Sequence, residues 1–190
     1  DDDFCKEMLR VGNFVPSVSL EGFEEENDAR RGKGDFQKVM QALDLMKKYK
    51  LLYGTSICYT SQNYKTVTSD EFLDMIIAKG VTYTWYFHYM PVGNDASTDL
   101  LLTPEQREYM YHRVREIRDY EGGKPIFAMD FQDDGEFVNG CVAGGKEYCH
   151  INPNGDVEPC VFIHYSSANI HDKSLIECLQ QPLFKAYQAA

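Results

Sequence analysis

Apolar positions along this chain switch repeatedly between helical and extended spacing. Phe4, Met8 and Leu9 share one helical face that Gly12 terminates, and "FVPSVSL" (14–20) then reads as a strand. Residues 21–34, "EGFEEENDARRGKG", are polar almost throughout and read as a loop. Phe36, Val39, Met40 and Leu43 recur at i, i+3, i+4 and i+7, and Lys47, Lys48 and Lys50 follow where a helix dipole favours cations. "LLYGTSICYT" (51–60) returns to extended spacing. Thr68 and Glu71 form a capping-box pattern ahead of Phe72, Leu73, Ile76 and Ile77, a helix closed by Gly80. "VTYTWYFHYM" (81–90), rich in β-branched and aromatic residues, is a third strand. Thr103, Pro104 and Gln106 open another helix that runs to Gly122 and Gly123, and "KPIFAMDF" (124–131) is a fourth strand.

Strands alternating with helices, and apolar along most of their length, indicate an α/β fold: right-handed β/α units forming a parallel sheet covered by helices. At 190 residues the chain has room for one such domain and a small appendage. Chemistry in such folds sits where strands end, so the loops at 19–22, 60–63, 90–93 and 130–134 form the candidate mouth. After residue 138 the alternation stops. "EYCHINPNGDVEPCVFI" reads as two short strands about "NPNG", with Pro153 presetting φ and Gly155 taking the positive-φ position.

Charge narrows the function. Lys and Arg number 19 against 30 Asp and Glu, a net −11, and no basic run compensates locally, so nucleic-acid binding is not expected. No apolar run approaches the ~20 residues of a membrane span, and "DDDFCKEMLR" has neither the basic nor the apolar region of a signal peptide. No membrane partner is expected, and the expected location is the cytoplasm. No Ser/His/Asp order, phosphate-cradling glycine loop or paired carboxylates stand out, which leaves hydrolase and kinase readings without support.

Six cysteines in 190 residues are too few for a disulfide-stapled secreted fold. Cys5 and Cys58 sit in periodic apolar stretches and read as small buried hydrophobes. Thirteen residues separate Cys141 from Gly155 and four separate Gly155 from Cys160, so a hairpin turning at the glycine brings the two thiols near each other. Zinc or an iron-sulfur cluster, plain packing and a redox disulfide all suit that arrangement. His150 and His164 flank the hairpin, and either can complete a metal site as neutral imidazole. His88 alternates with Tyr86 and Met90 and reads as a hydrogen-bonded core residue, whereas His112 and His171 read as solvated.

The spacing C-x13-G-x4-C resembles the opening of the SPASM or twitch region that follows the barrel in many radical S-adenosylmethionine (SAM) enzymes. The block "GCVAGGKEYCHINPNGDVEPCVFIHY" is similar to one Fe-S oxidoreductase branch of that superfamily. Upstream, "SVSLEGFEEENDARRGKGDFQKV" resembles the "SLDG…D…RG.G.F" stretch that closes the fourth barrel strand, and "TSDEFLDMIIAKG" with "WYFHYMPVG" resembles the fifth helix and sixth strand. The resemblance covers nearly the whole chain. It implies a partial (β/α) TIM-like barrel of the radical SAM type over residues 1–138 and an auxiliary-cluster region with a cysteine-bearing hairpin over 139–190.

One departure bears on activity. The C-x3-C-x2-C motif that holds the catalytic 4Fe-4S cluster in this superfamily does not occur here. The chain is therefore expected to be a fragment that begins about halfway through the barrel and is inactive alone, with a bare strand edge near Phe14 through which it self-associates. By resemblance Ser19 contacts the cofactor's ribose, Arg31 its polar end, and Pro91 and Gly93 approach the adenine. Cys141 and Cys160 carry over as ligands of an auxiliary iron-sulfur cluster, with Cys178 and Cys149 as further candidates. Asp130 ends a strand inside the mouth, as a proton acceptor or as a loop cap. The implied parent enzyme cleaves S-adenosylmethionine reductively at its 4Fe-4S cluster, takes electrons from a flavodoxin or ferredoxin and acts on a peptide or protein. The alternatives are a zinc-stapled α/β binding module and an α/β domain whose cysteines merely pack.

Overall fold

The computed structural model describes residues 1–92 and 94–189. Helix α1 (Asp2–Val11) starts where the Asp1 carboxylate accepts from Phe4 N at 2.9 Å and ends at Gly12, whose φ is 74°. Strand β1 (Ser17–Ser19) is shorter than the expected 14–20. Pro16 has no N–H, and its carbonyl takes Gly54 N at 3.0 Å just ahead of the strand; Phe14 and Val15 stay outside it and exposed.

The expected loop at 21–34 holds helix α2 (Glu24–Arg31). "EEENDARR" has no apolar period to reveal it, and its one buried residue is Asn27. The signal it does carry is electrical: three glutamates in the first turn and two arginines in the last complement the helix dipole. Helix α3 (Asp35–Lys48) and strand β2 (Gly54–Tyr59) follow as the periodicity requires. Helix α4 (Asp70–Ala78) is capped by Ser69, which accepts from Phe72 N at 3.2 Å, and not by the expected Thr68–Glu71 pair. Thr68 ends a preceding 3-10 turn and donates its hydroxyl to Tyr64 O at 2.7 Å. Strand β3 (Tyr83–His88), helix α5 (Pro104–Ile117) and strand β4 (Phe127–Asp130) complete the series, α5 with the capping box of Thr103 and Gln106 in place.

The strands form one parallel sheet in the order β1-β2-β3-β4. Parallel register sorts its side chains into two faces. Thr55, Ile57, Tyr59, Thr84, Tyr86, Ala128 and Asp130 point one way and are all buried. Of these, Ile57, Tyr59, Tyr86 and Ala128 share one core with Met8 of α1, Leu43 of α3, Leu73 and Ile76 of α4 and Val114 of α5. The other face carries Ser19, Ser56, Trp85 and Met129 in one row and Cys58 and Phe87 in the next. Helices thus cover one side of the sheet, where coverage without distinction of sides was expected. Phe127 on the open side is 59% exposed, and Leu52, Tyr83, Trp85 and Met129 join it in lining a hollow of about 470 Å³.

The chain divides into two compact units, Asp1–Asp134 and the residues from Gly135 on. The second unit contains the expected hairpin, β5 (His150–Ile151) antiparallel to β6 (Val157–Glu158), and two helices, α6 (Leu175–Leu179) and α7 (Pro182–Ala189). Val157, Cys178 and Phe184 form its small core. Among the described residues no helix is long and apolar enough to cross a membrane.

The two faces differ in what truncation costs. Ile76→Ala, in the closed core, is expected to destabilise the chain by about 2–5 kcal/mol in urea unfolding, and Phe127→Ala by less than about 1 kcal/mol. Equal effects would contradict the one-sided packing.

Candidate functional site

The mouth lies at the carboxyl ends of the strands. β1 is followed by Leu20 and Glu21, both buried, and by Gly22 at φ 139°, where an added Cβ would lie 3.0 Å from Glu26 Cβ. This tight passage turns the chain into α2 and leaves the Glu21 carboxylate 1% exposed. Arg31 donates to Glu21 Oε1 through Nε at 3.1 Å and through Nη2, and Arg30 Nε stands 3.6 Å from the same oxygen. Oε2 accepts from Cys58 N at 2.9 Å, which ties the loop to β2. The Glu21 backbone is held as well: its N–H donates to Asn27 Oδ1 at 3.1 Å, and its carbonyl accepts from Asn63 Nδ2 at 2.9 Å.

Farther along, Asp28 accepts from Phe36 N at 2.9 Å and from Gly34 N, and these bonds, Phe36 first, lower its pKa. Gly32 and Gly34 take φ values of 102° and 82°, which lets α3 begin directly behind α2. A groove of about 630 Å³ opens between Glu25, Glu26 and Arg30 of α2 and Thr60, Gln62 and Tyr89 of the strand-end loops.

The residues assigned to the mouth from sequence are not all together. Ser19 lies on the open face in the row of Ser56, Trp85 and Met129, Arg31 is bound to Glu21, and Pro91 is exposed in the loop after β3. Gly93 lies outside the described residues. Asp130 is fully buried on the helix-covered face, not in the mouth. It accepts from Tyr59 OH at 3.1 Å and from Gln132 N at 3.3 Å, the contacts of a loop cap, while its own N–H donates to Asp134, which Arg118 grips with two bonds of 2.7 Å. Burial, then the charge of Asp133, raises the Asp130 pKa to about 6. His88 lies edge-on to Tyr59 with ring centres 6.2 Å apart, and burial, then Arg107, lowers its pKa. Cys58 is half-buried on the open face rather than in the core, with a thiol pKa raised chiefly by burial; Cys5 is buried as expected. The residues missed from sequence are Glu21, Asn27 and Asn63, three polar side chains without periodicity; the one available signal was their place at a strand end and in the loops beside it.

In the second unit the cysteines fall into two environments. Cys178 is fully buried in the small core and Cys149 packs against it; burial, then the neighbouring Cys178, raises the Cys149 thiol pKa. Cys160 is buried and Cys141 exposed, in segments joined by Gly144 N donating to Pro159 O at 2.9 Å. His164 Nδ1 and His150 Nε2 stand 3.6 and 3.9 Å from Glu158 Oε2, a buried oxygen with no hydrogen-bond donor among the described residues. The thiols are donors of the right kind for iron or zinc, yet among the described residues no three His, Cys, Asp or Glu side chains are gathered so as to hold a metal ion.

Residues 141–190 match the family model of SPASM, the iron-sulfur cluster-binding domain. The mycofactocin maturase MftC of Mycolicibacterium smegmatis is 31% identical over 180 residues, covering 88% of this chain and 42% of the relative. The solved structure of native anSMEcpe with bound AdoMet and Cp18Cys peptide superposes with a TM-score of 0.73 at 19% identity, over 98% of this chain and 56% of that one. Streptococcus suis SuiB bound to precursor peptide SuiA superposes with a TM-score of 0.62 at 15% identity, over 93% of this chain and 44% of that one. The chain thus spans about half the length of the proteins it matches.

The raised pKa of Asp130 has a fixed sign. The folded state holds its proton more tightly than the unfolded chain, so this group's contribution to stability is full below about pH 4 and lost as pH rises through about 6. Asp130→Asn keeps partners for the rotatable Tyr59 hydroxyl. It is expected to be more stable than the parent at pH 8 by up to about 2–3 kcal/mol, a gain that shrinks toward pH 4. Paired thermal melts across that range measure it; a difference independent of pH would refute the assignment.

Proposed function

Since the chain belongs to the radical S-adenosylmethionine superfamily and carries a SPASM region, we propose that it is the carboxyl half of the barrel, together with the auxiliary-cluster region, of an enzyme that modifies a peptide. The observation that supports this most directly is the one-sided parallel sheet: helices close one face, and the open face presents Ser19, Ser56, Trp85 and Met129 below a mouth built on Glu21. Two hydroxyls at one end of that row and the Trp85 indole beside Met129 at the other suit a nucleoside, polar at the ribose and flat at the base. Peptide substrates are supported by the neighbours whose structures hold Cp18Cys and SuiA.

In this reading residues 1–138 form the barrel part and 139–190 the cluster part. S-adenosylmethionine with a reduced 4Fe-4S cluster would supply one-electron radical chemistry at this mouth. No C-x3-C-x2-C motif occurs within residues 1–190, so the ligands of that cluster lie elsewhere and these residues alone are inactive. Their own work is binding and orientation. Ser19 would offer a hydroxyl to the ribose, Pro91 would border the adenine, and Arg31 with Glu21 would fix the mouth on which the methionyl end rests; Gly93, assigned with Pro91 by resemblance, lies outside the described residues. The aromatic side chains of the open face, Trp85 and Phe87, would shield a ligand laid over it from water. Cys141 and Cys160 would serve as auxiliary-cluster ligands, while Cys149 and Cys178 pack in the small core of the second unit. A flavodoxin or ferredoxin delivers electrons in the cytoplasm, and the bare β1 edge pairs with another copy of the chain when no further strand covers it.

Anaerobic reconstitution with iron and sulfide tests the cluster assignment. The chain is expected to gain a broad absorbance near roughly 400 nm that Cys141→Ala and Cys160→Ala each abolish and Cys178→Ala leaves in place. A colourless protein with one zinc per chain would instead establish the metal-stapled binding module.

A further inference from the structure

Asp130, Asp133 and Asp134 crowd the end of β4, and the structure treats them unequally. Asp134 is gripped by Arg118 and has Arg115 at 4.0 Å. Asp130, fully buried, has no cation at ion-pair distance among the described residues and is held by two neutral donors, Tyr59 OH and Gln132 N. A buried carboxylate in that setting favours its protonated form: burial acts first, then the charge of Asp133.

The groups around it come from three elements. β2 contributes Tyr59, and β3 contributes Tyr86, whose hydroxyl donates to Val67 O at 2.8 Å, and His88, edge-on to Tyr59. From α5, Arg118 and Arg115 are tied to Asp134, Ala128 O and Asp133 O, and the exposed Arg107 acts on Tyr59 and His88. The loop itself closes on few bonds. Asp130 N donates to Asp134 Oδ2 at 2.8 Å, Asp134 N returns to Asp130 O at 3.0 Å, and Gln132 Oε1 accepts from His88 N at 3.2 Å. Gln132 Nε2 is buried with no partner among the described residues, which weakens the closed form. β4 is an edge strand, so opening its end gives up one ladder bond, Phe131 N to Tyr86 O at 2.9 Å.

We propose that residues 130–134 are a proton-controlled latch: with the Asp130 carboxyl neutral the loop is locked onto the ends of β2 and β3, and with it ionised the loop opens locally while the sheet stays folded. The closed loop holds this proton up to about pH 6, whereas in the open loop the group titrates near an ordinary aspartate value of about 4. Closure is therefore fully favoured below about pH 4, and its advantage is lost as pH rises through about 6. From about pH 5 to about pH 7.5 the opening constant rises roughly tenfold. Asp134 is the last residue of the first compact unit, so opening the latch lengthens the link to the second. None of this rests on the function proposed above.

Hydrogen exchange of the full chain, read by mass spectrometry near pH 5 and near pH 7.5 and corrected for intrinsic amide rates, tests the latch. The amides of 131–134 are expected to lose about tenfold in protection, at a rate that low urea leaves unchanged, while those of β2 and β3 exchange more slowly and respond to urea. Asp130→Asn is expected to abolish the pH dependence and His88→Gln, which removes the neighbouring imidazole, to retain it. Should Asp130→Asn fail to fold, Tyr59→Phe decides: the ionised carboxylate loses a donor, so the rise in opening extends to higher pH. Protection independent of pH in the parent, an undiminished change in Asp130→Asn, its loss in His88→Gln or an unshifted profile in Tyr59→Phe each overturns the proposal. So does loop exchange that follows urea in step with β2, because the opening is then global.

Discussion

A carboxylate shut away from water must be neutralised where it stands, and the mouth of this sheet is organised around that requirement at Glu21. Burial of an unpaired ion costs several kcal/mol, so a carboxylate 1% exposed obliges the chain to bring it cations and donors. Arg31 and Arg30 come from α2 and Cys58 N from β2, while Asn27 and Asn63 hold the backbone on either side. A helix with no apolar stripe is thereby fixed over the strand ends by polar bonds, together with the Phe23 ring at its N-cap, which packs edge-on to Phe72. Asp28 extends the same logic forward by capping α3, and the positive-φ glycines at 32 and 34 make the short passage between the helices passable.

Behind that mouth the sheet is asymmetric. One alternation of its side chains is sealed by α1, α3, α4 and α5 and includes a cross-strand hydroxyl pair, Thr55 Oγ1 to Thr84 Oγ1 at 3.0 Å. The opposite alternation is graded from serines at β1 to aromatic rings at β3 and β4, where Trp85, Phe87 and Phe131 stack with centroids 4.9–5.9 Å apart. A parallel sheet with one bare face is unusual for an isolated domain and natural for the wall of a barrel.

The sequence disclosed those elements whose physics is periodic. The Thr103–Gln106 box with Pro104 opens α5 from capping alone, and the apolar runs give the strands. It hid α2, because eight almost wholly polar residues carry no hydrophobic period, and it placed the cap of α4 one residue early, because Thr68 and Ser69 satisfy the same pattern and only the fold chooses between them. The site was legible as a motif and not as a network. Ser19, Arg31 and the cysteines came from resemblance, whereas Glu21 as the hub depends on contacts ten and thirty-seven residues apart, which no local pattern encodes. Asp130 was misplaced for a related reason: the end of a strand does not fix which face its last side chain joins, and register with Tyr86 puts it under the helices.

The single tryptophan of the chain, Trp85, sits on the open face between Ser56 and Met129 and against Phe87 and Phe131. Its indole is thus a built-in optical probe of the one surface that helices leave uncovered. Any strand, nucleoside or second copy laid over that surface changes the polarity around the ring, so intrinsic emission reports from the wall itself, without a label and without interference from a second indole.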